Sequence, residues 1–204
     1  ALETHLAAKN QSFEMYSPRH MDYATSREFT DGENLHGFNR IVNDGGHCQI
    51  AMAYYTAGYG PVKETDMPFI NSVVKLPLSS IEKEPQKQVK EYVYLPTVLK
   101  KREGDKITYI NSMDGNGSEL TEQEVINIRN TIKAHIMQNG GVSMTYNNAS
   151  MSRGDDVNAY IGYTDNETFH DVAIVGWDDN YSKDNFKATP APLHDGAYIC
   201  LNSW

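Results

Sequence analysis

The sequences HDVAIVGW, at residues 170–177, and AYICLNSW, at residues 197–204, decide the fold of this chain. Each contains a short apolar run of the kind that forms a buried strand. Residues 142–146 alternate between apolar and polar side chains, as a half-buried strand does. We therefore predict strands over residues 142–146, 171–177 and 197–204, which makes the last third of the chain rich in β-structure.

The clearest helix comes shortly before these strands. Thr121 and Glu124 have the spacing of a capping box, in which each side chain accepts a hydrogen bond from the other residue's backbone N–H. Its buried stripe is predicted at four positions of helical spacing, namely Val125, Ile128, Ile132 and Ile136. Residues 139–141, Asn-Gly-Gly, end the helix. Further strands are predicted at 91–95 and 106–110, with a loop at 114–118.

Helices dominate the first third of the chain. Residues 1–6 are strong helix formers, and Ser17-Pro18 is typical of a helix start, here before residues 19–23. Gly45-Gly46 precedes a helical pattern over residues 47–57. Helices followed by strands indicate an α+β fold in two parts, because a parallel α/β sheet would need the two kinds of element to alternate.

Composition and charge exclude several classes of function. The 204 residues include 27 Asp and Glu against 18 Lys and Arg, so the net charge is -9. Such a surface repels nucleic acid and anionic membranes. No apolar run approaches the roughly 18 residues of a membrane helix. Two cysteines without a CxxC pair exclude a disulfide scaffold and a multi-cysteine zinc site. We predict neither nucleic-acid binding nor membrane insertion.

Two loops carry oxygen-bearing side chains at alternate positions, as calcium loops do. These loops are residues 178–184 and 114–118. In the first, Lys183 stands where a calcium loop has glycine, and Thr189 stands where it has a bidentate glutamate. The second has a single carboxylate among its alternate positions. We interpret both as solvated turns and predict no metal and no cofactor.

The predicted strand ends carry the candidate chemistry. His170, before a buried strand, has the position of a catalytic base on a rigid scaffold, and a hydrogen-bonded structural histidine is the alternative. Asn202 can orient an imidazole as aspartate does in a serine triad, and Trp204 can shield that contact. The alternative is a strand end with a satisfied asparagine. Gly45-Gly46 is either a plain turn into a helix or a place of close backbone approach.

The ordered set of these features resembles the papain-like cysteine peptidases over almost the whole chain. It consists of Gly45-Gly46 before a helix, HDVAIVGW, and Asn-Ser-Trp at residues 202–204. Residues 170–186, HDVAIVGWDDNYSKDNF, are similar to clostridial cell-surface members, and residues 60–69 and 132–143 also resemble family stretches. The resemblance implies a papain-like two-lobed fold, with a helical lobe at 1–76 and an antiparallel β-barrel-like lobe at 77–204.

The resemblance also implies a role for each candidate residue. His170 matches the catalytic histidine, Asn202 the residue that orients it, and Trp204 the tryptophan that covers the pair. Gly45 and Gly46 match the segment whose backbone pairs with an extended polypeptide substrate. Glycine suits that role because a substrate strand approaches it without side-chain clash.

The family's nucleophile is a cysteine at the start of a long helix. The opening ALETHL resembles the part of that helix just after the nucleophile, so the cysteine is expected before Ala1, and the oxyanion-binding glutamine further upstream. By the same resemblance the domain is expected to continue beyond Trp204. Residues 1–9 have no basic opening and no long apolar stretch, so they are not expected to be a signal peptide. The chain by itself is therefore expected to be inactive. Cys48 and Cys200 are expected to be buried, inert thiols.

Three functional hypotheses follow from the sequence. The first is a papain-like endopeptidase domain that hydrolyses peptide bonds through a thioester. The second is an inactive papain-fold module for peptide binding or cell-surface structure, and the third is a structural fragment without activity. The resemblance further implies a secreted or cell-surface location and additional domains in the parent chain.

Overall fold

The computed structural model describes residues 1–10, 13–104, 106–114, 116–147, 169–186 and 192–202. Within these ranges the α-helices are α1 (Leu2–Asn10), α2 (Pro18–Thr25), α3 (Cys48–Thr56) and α4 (Glu122–Asn139). The strands are β1 (Val98–Glu103), β2 (Lys106–Asn111), β3 (Val142–Asn147), β4 (Phe169–Asp178) and β5 (Ala197–Leu201). Short 3₁₀ helices lie at Glu64–Asp66, Leu78–Ile81 and Lys183–Asn185. None of the described helices combines the length and apolar character needed to cross a membrane.

Contacts divide the chain into two compact units. The helical unit is Phe13–Val93, and the sheet unit combines Ala1–Ser12 with Tyr94–Trp204. The first helix belongs to the sheet unit because it is bonded to the end of α4. There, His5 Nδ1–H donates to the Asn139 carbonyl at 2.8 Å, and Gly141 N–H donates to Thr4 Oγ1 at 2.9 Å. The division into domains at 1–76 and 77–204 stays a prediction.

The helical unit has the predicted helix start at Ser17-Pro18 and a core of its own. Ser17 caps α2 by accepting a hydrogen bond from His20 N–H at 2.9 Å, and Pro18 occupies the first turn, where its missing N–H costs nothing. The core of this unit is a cluster of buried side chains from α2, α3, the 3₁₀ helix Leu78–Ile81 and the loops, namely Tyr23, Ala24, Phe29, Tyr54, Met67 and Ile81. The predicted helices of the first third are confirmed.

A buried histidine connects three parts of this unit. His20 is 0% exposed, and its Nε2–H donates to the Ile81 carbonyl at 3.1 Å. Its Nδ1 accepts a hydrogen bond from the Tyr54 hydroxyl at 2.7 Å. Burial lowers the pKa of His20 because the charged imidazolium loses its hydration, and burial likewise raises the pKa of Tyr54. The native unit therefore holds a neutral imidazole.

Because His20 is buried in its neutral form, we expect the protein to lose stability in mild acid. The unfolded chain binds a proton at about pH 6.5, and the native His20 resists it, so the free energy of unfolding falls as the pH drops below that value. The slope reaches at most about 1.4 kcal/mol per pH unit. Urea unfolding of wild type and His20→Gln from pH 8 to pH 5 measures the effect. The variant should be less stable at pH 8 and should lose this component of the pH dependence.

The control for this experiment is His36→Asn, which removes an exposed histidine of the same unit. It should keep the wild-type pH dependence. Identical pH slopes for wild type and His20→Gln would contradict the assignment.

The long helix of the sheet unit has the predicted capping box. Thr121 Oγ1 accepts from Glu124 N–H at 3.3 Å, and the Glu124 carboxylate accepts from Thr121 N–H at 2.8 Å. Its first and last stripe positions, Val125 and Ile136, are buried, whereas Ile128 and Ile132 are half-buried. The helix is therefore confirmed, and its packing is tightest at the two ends of the stripe.

The strands form two antiparallel sheets within the described residues. One is the β1–β2 pair, and the other has the order β3–β4–β5. The described strands form no closed barrel, so the barrel-like character expected of this lobe is not confirmed. A barrel requires each strand to pair on both sides, and here β1 and β2 pair only with each other among the described strands.

One strand prediction was wrong. Residues 91–95 alternate in sequence but form no strand, and Val93 and Tyr94 are 64% and 63% exposed, so the alternation has no buried face to occupy. The strand in this region is Val98–Glu103, after Pro96. Its sequence VLKKRE is charged at four of six positions, and it is specified by its backbone ladder with β2 rather than by an apolar pattern.

Candidate active site

An imidazole and a carboxamide meet on one face of the three-stranded sheet. His170 lies near the start of β4, and Asn202 directly follows β5. The β4–β5 register pairs Ile174 with Cys200, and side chains alternate between faces, so His170 and Asn202 belong to the face that Ile174 occupies. The His170 Nε2 and Asn202 Oδ1 atoms are 3.0 Å apart, a normal hydrogen-bond distance.

This hydrogen bond determines the roles of the two ring nitrogens. A carboxamide oxygen only accepts, so Nε2 of His170 carries the hydrogen and donates it to Asn202. Proton exchange with a reacting group then belongs to Nδ1. The arrangement gives an imidazole that is held by an amide at one nitrogen and can act as a base or an acid at the other.

A tyrosine that the sequence analysis did not single out contacts the imidazole. Tyr146 on β3 pairs with His170 on β4, and the two rings meet edge to face, with centroids 5.8 Å apart and planes at 77°. The alternation over residues 142–146 predicted the strand that carries Tyr146. It contained no signal for the cross-strand partner, because register depends on a strand more than twenty residues away.

The glycine pair lies in the helical unit, immediately before α3. Gly45 has a φ of 74°, a left-handed conformation that favours glycine, so a turn by itself accounts for that residue. Both glycines are exposed, and a side chain at Gly45 would have no atom within 4 Å. They border a surface depression of about 540 Å³, lined by Phe38, Arg40, Asp44, Gly45, Gly46, His47, Gln49, Ile50 and Ala53. The pair is therefore exposed at the edge of this depression.

The two remaining candidate positions lie outside the described residues. These are Trp204, expected to cover the His170–Asn202 contact, and Thr189 of the loop that resembles a calcium site. The role of Trp204 stays a prediction.

Cys200 does not have the position of a nucleophile for His170. Cys200 lies opposite Ile174, four residues along β4 from His170, which is about 13 Å at the rise of a strand. Partial burial of its thiol raises the pKa of Cys200 and disfavours the thiolate. Cys48 opens α3 in the helical unit. Both are free thiols, but Cys48 is only half-buried and Cys200 is exposed as a residue, so the expectation that both are buried was wrong.

In the second calcium-like loop, residues 114–118, the carboxylate accepts hydrogen bonds from the loop itself. The Asp114 carboxylate accepts hydrogen bonds from the backbone N–H groups of residues 116–118 and from the Ser118 hydroxyl. The Ser118 hydroxyl and then these N–H groups lower the pKa of Asp114. The described residues contain no group of three His, Cys, Asp or Glu side chains that could hold a metal ion.

Comparison with solved structures identifies the class of protein that this chain resembles. Neither a protein-family model nor a curated protein matches the chain. Solved structures of a cysteine protease do, over 100% of the chain. The predicted resemblance to a papain-like cysteine peptidase is confirmed.

The protease in both structures is clostridial Cwp84. The form after propeptide cleavage is 25% identical to this chain, with a TM-score of 0.63 and 42% of its own length covered. The cysteine protease and lectin-like domains of Cwp84, a surface layer associated protein of Clostridium difficile, are 25% identical, with a TM-score of 0.66 and 38% of that chain covered. The present chain thus spans about two fifths of the proteins it matches.

Proposed function

We propose that this chain is part of a papain-like cysteine endopeptidase that hydrolyses peptide bonds by a thiolate–imidazolium mechanism. The observation that carries the proposal is the hydrogen bond between His170 and Asn202, 3.0 Å long, within a chain that resembles a cysteine protease. Such a pair is the part of a cysteine-peptidase site that holds and moves the proton.

The proposed nucleophile is a cysteine N-terminal to Ala1, on the same helix as α1. Nδ1 of His170 takes the thiol proton, and the thiolate attacks the substrate carbonyl to form a carbon–sulfur bond. The carbon–nitrogen bond then breaks as the imidazolium returns the proton to the leaving amine. Water, deprotonated by the same imidazole, hydrolyses the thioester and releases the acid. The Asn202 amide holds the ring in position through these steps.

The proposed substrate is an extended polypeptide. Its backbone would pair with the exposed Gly45-Gly46 segment, and Trp204 would exclude water from the His170–Asn202 contact. Because one similar protein is associated with a surface layer and carries a lectin-like domain, we extend the proposal to a secreted or cell-surface parent with further domains. This location and these domains rest on the likeness alone.

The proposal predicts thiol-dependent peptide cleavage by the cysteine-containing parent and none by residues 1–204 alone. Both are assayed with a fluorogenic peptide in reducing buffer, with iodoacetamide as the thiol reagent. A matched parent in which the upstream cysteine is serine should have no activity but should still bind the peptide.

Two outcomes would contradict this proposal. Peptide binding without cleavage by the cysteine-containing parent would favour an inactive papain-fold binding module. Thiol-dependent cleavage by residues 1–204 would instead indicate that Cys48 or Cys200 is the nucleophile, and the single variants Cys48→Ala and Cys200→Ala would show which one.

A further inference from the structure

A largely buried arginine contacts the segment that contains the glycine pair. We call residues 41–46 the glycine segment. The Arg40 side chain is 9% exposed, and its Nη2 donates to the Gly45 carbonyl oxygen at 2.6 Å and to Asp22 Oδ1 at 2.7 Å. These are charge-assisted hydrogen bonds, which are stronger than bonds between neutral groups. The guanidinium therefore joins the glycine segment to α2, where Asp22 lies.

The other terminal nitrogen of the guanidinium is bonded to the end of α2. Nη1 of Arg40 lies 3.0 Å from each of three acceptors, the Asp22 carbonyl, the Thr25 hydroxyl and the Ser26 hydroxyl. The last two residues are buried. Since a planar guanidinium presents its donors in a fixed fork, contacts on both terminal nitrogens leave it little freedom to rotate.

The aspartate bonds to the glycine segment directly as well. Asp22 Oδ2 accepts from Asn43 N–H at 2.9 Å, while Oδ1 receives Arg40. Asn43 and Gly45 have φ angles of 66° and 74°, which an L-residue adopts only at a cost. The Arg40–Asp22 pair thus bonds to both residues of the segment that have left-handed backbone.

The bond to Gly45 determines where the next backbone donor points. The peptide group between Gly45 and Gly46 is planar, and in a trans peptide the C=O and N–H bonds point in opposite directions. With the Gly45 oxygen held by Arg40, the Gly46 N–H is directed away from the guanidinium. The positive charge of the guanidinium beside the Gly45 oxygen also polarises the peptide group and makes that N–H a stronger donor.

We propose that Arg40, fixed by Asp22, is a positioning residue that orients the Gly45–Gly46 peptide group so that Gly46 N–H donates to a backbone carbonyl of an extended polypeptide substrate. This inference rests on the proposed peptidase function. Nothing in the sequence pattern marks Arg40, because its partners are 5 to 18 residues away and are brought together by the fold.

The first test is steady-state kinetics of Arg40→Gln in the cysteine-containing parent. The substrate hydrogen bond that the peptide group supplies is the same in the ground state and the transition state, so its loss raises KM and leaves kcat unchanged. We expect KM for a fluorogenic peptide to rise about tenfold, the effect of one hydrogen bond, with kcat within about twofold. Arg40→Lys, which keeps the charge but not the fork, should fall between wild type and Arg40→Gln.

The matched control is Arg27→Gln in the same unit. Arg27 forms an exposed ion pair with Glu33 at 3.1 Å, with side chains 40% and 58% exposed. Its loss should change neither KM nor kcat. An equal rise of KM in both variants would mean that a general charge effect, not orientation of the glycine segment, is being measured, and would overturn the inference.

A second test identifies the hydrogen bond itself. Peptide substrates in which one non-scissile backbone carbonyl at a time is replaced by a methylene report which carbonyl accepts the hydrogen bond from the enzyme. With the wild-type enzyme, one of these modified substrates should have a kcat/KM about tenfold lower than the unmodified peptide. With Arg40→Gln the two substrates should have the same kcat/KM, since the Gly46 N–H is already misplaced. If replacing the carbonyl costs the same factor in kcat/KM in Arg40→Gln as in wild type, the inference is overturned. The effects of the variant and of the carbonyl replacement would then be independent, as a merely structural role of Arg40 requires.

A third measurement does not depend on catalysis. Amide hydrogen exchange at Asn43, whose N–H is bonded to Asp22, should become about tenfold faster in Arg40→Gln. The same increase is expected in Asp22→Asn, a milder change that replaces Arg40→Gln in this measurement if that variant does not fold. An active wild-type parent with unchanged KM and unchanged exchange in these variants would refute the positioning role. A wild-type parent that does not cleave peptides at all would refute the peptidase proposal, and the inference would fall with it.

Discussion

His170→Ala, introduced into a cysteine-containing parent, is expected to lower peptide turnover by about four orders of magnitude, since members of a catalytic triad act as a unit. The imidazole would both activate the thiol and protonate the leaving amine, so its removal disables two steps. Asn202→Ala should cost less, because the amide only orients the ring through the 3.0 Å bond. Initial rates with a fluorogenic peptide measure both effects.

The control for this prediction is His194→Ala, which removes an exposed histidine of the same sheet unit. It should retain the parent's rate, and all three variants should unfold in urea as the parent does. A His170→Ala rate within about tenfold of the parent's would contradict the catalytic role, since a positioned acid–base group contributes more than that. A double variant of His170 and Asn202 that is no slower than His170→Ala alone would further support a shared function.

The largest expected effect on stability comes from Gly140→Ala. This residue ends α4 with φ 87° and ψ -172°, a conformation that is essentially restricted to glycine. A methyl group there would lie 2.6 Å from the Thr4 carbonyl oxygen, which is backbone of α1 and cannot rotate away. We expect the free energy of unfolding to fall by about 3 kcal/mol or more, from backbone strain together with the forced separation of α1 and α4. Urea unfolding measures it.

The matched control is Gly104→Ala in the β1–β2 turn. Gly104 also has a positive φ, 62°, but a methyl group there would meet no atom within 4 Å. Only the conformational cost remains, so about 1 kcal/mol is expected. Equal losses at the two positions would show that close packing of α1 against the end of α4 does not contribute.

Local signals explain which elements were predictable. The α2 cap at Ser17, the α4 capping box at Thr121, and the glycines after α4 act within one helical turn, so their sequence spacing is sufficient evidence. Strand β4 was predictable because it has an apolar run at residues 172–175, in which Val172 and Ile174 are buried. In contrast, β1 was missed and residues 91–95 were assigned wrongly, because a charged strand held by backbone hydrogen bonds has no apolar pattern, whereas an alternating apolar pattern needs a buried face.

For the candidate site, the sequence by itself determined the identities of the residues. His170, Asn202 and Gly45-Gly46 could be named because their ordered set resembles the papain-like cysteine peptidases, whereas their positions at strand ends and before a helix left structural alternatives open. The tertiary structure alone decided which atoms meet. The bond from His170 Nε2 to Asn202 Oδ1, the ring contact of Tyr146, and the Arg40–Asp22 network all depend on strand register and loop closure. Sequence spacing does not encode these contacts, since they form between residues that are distant along the chain and become neighbours only when the whole unit packs.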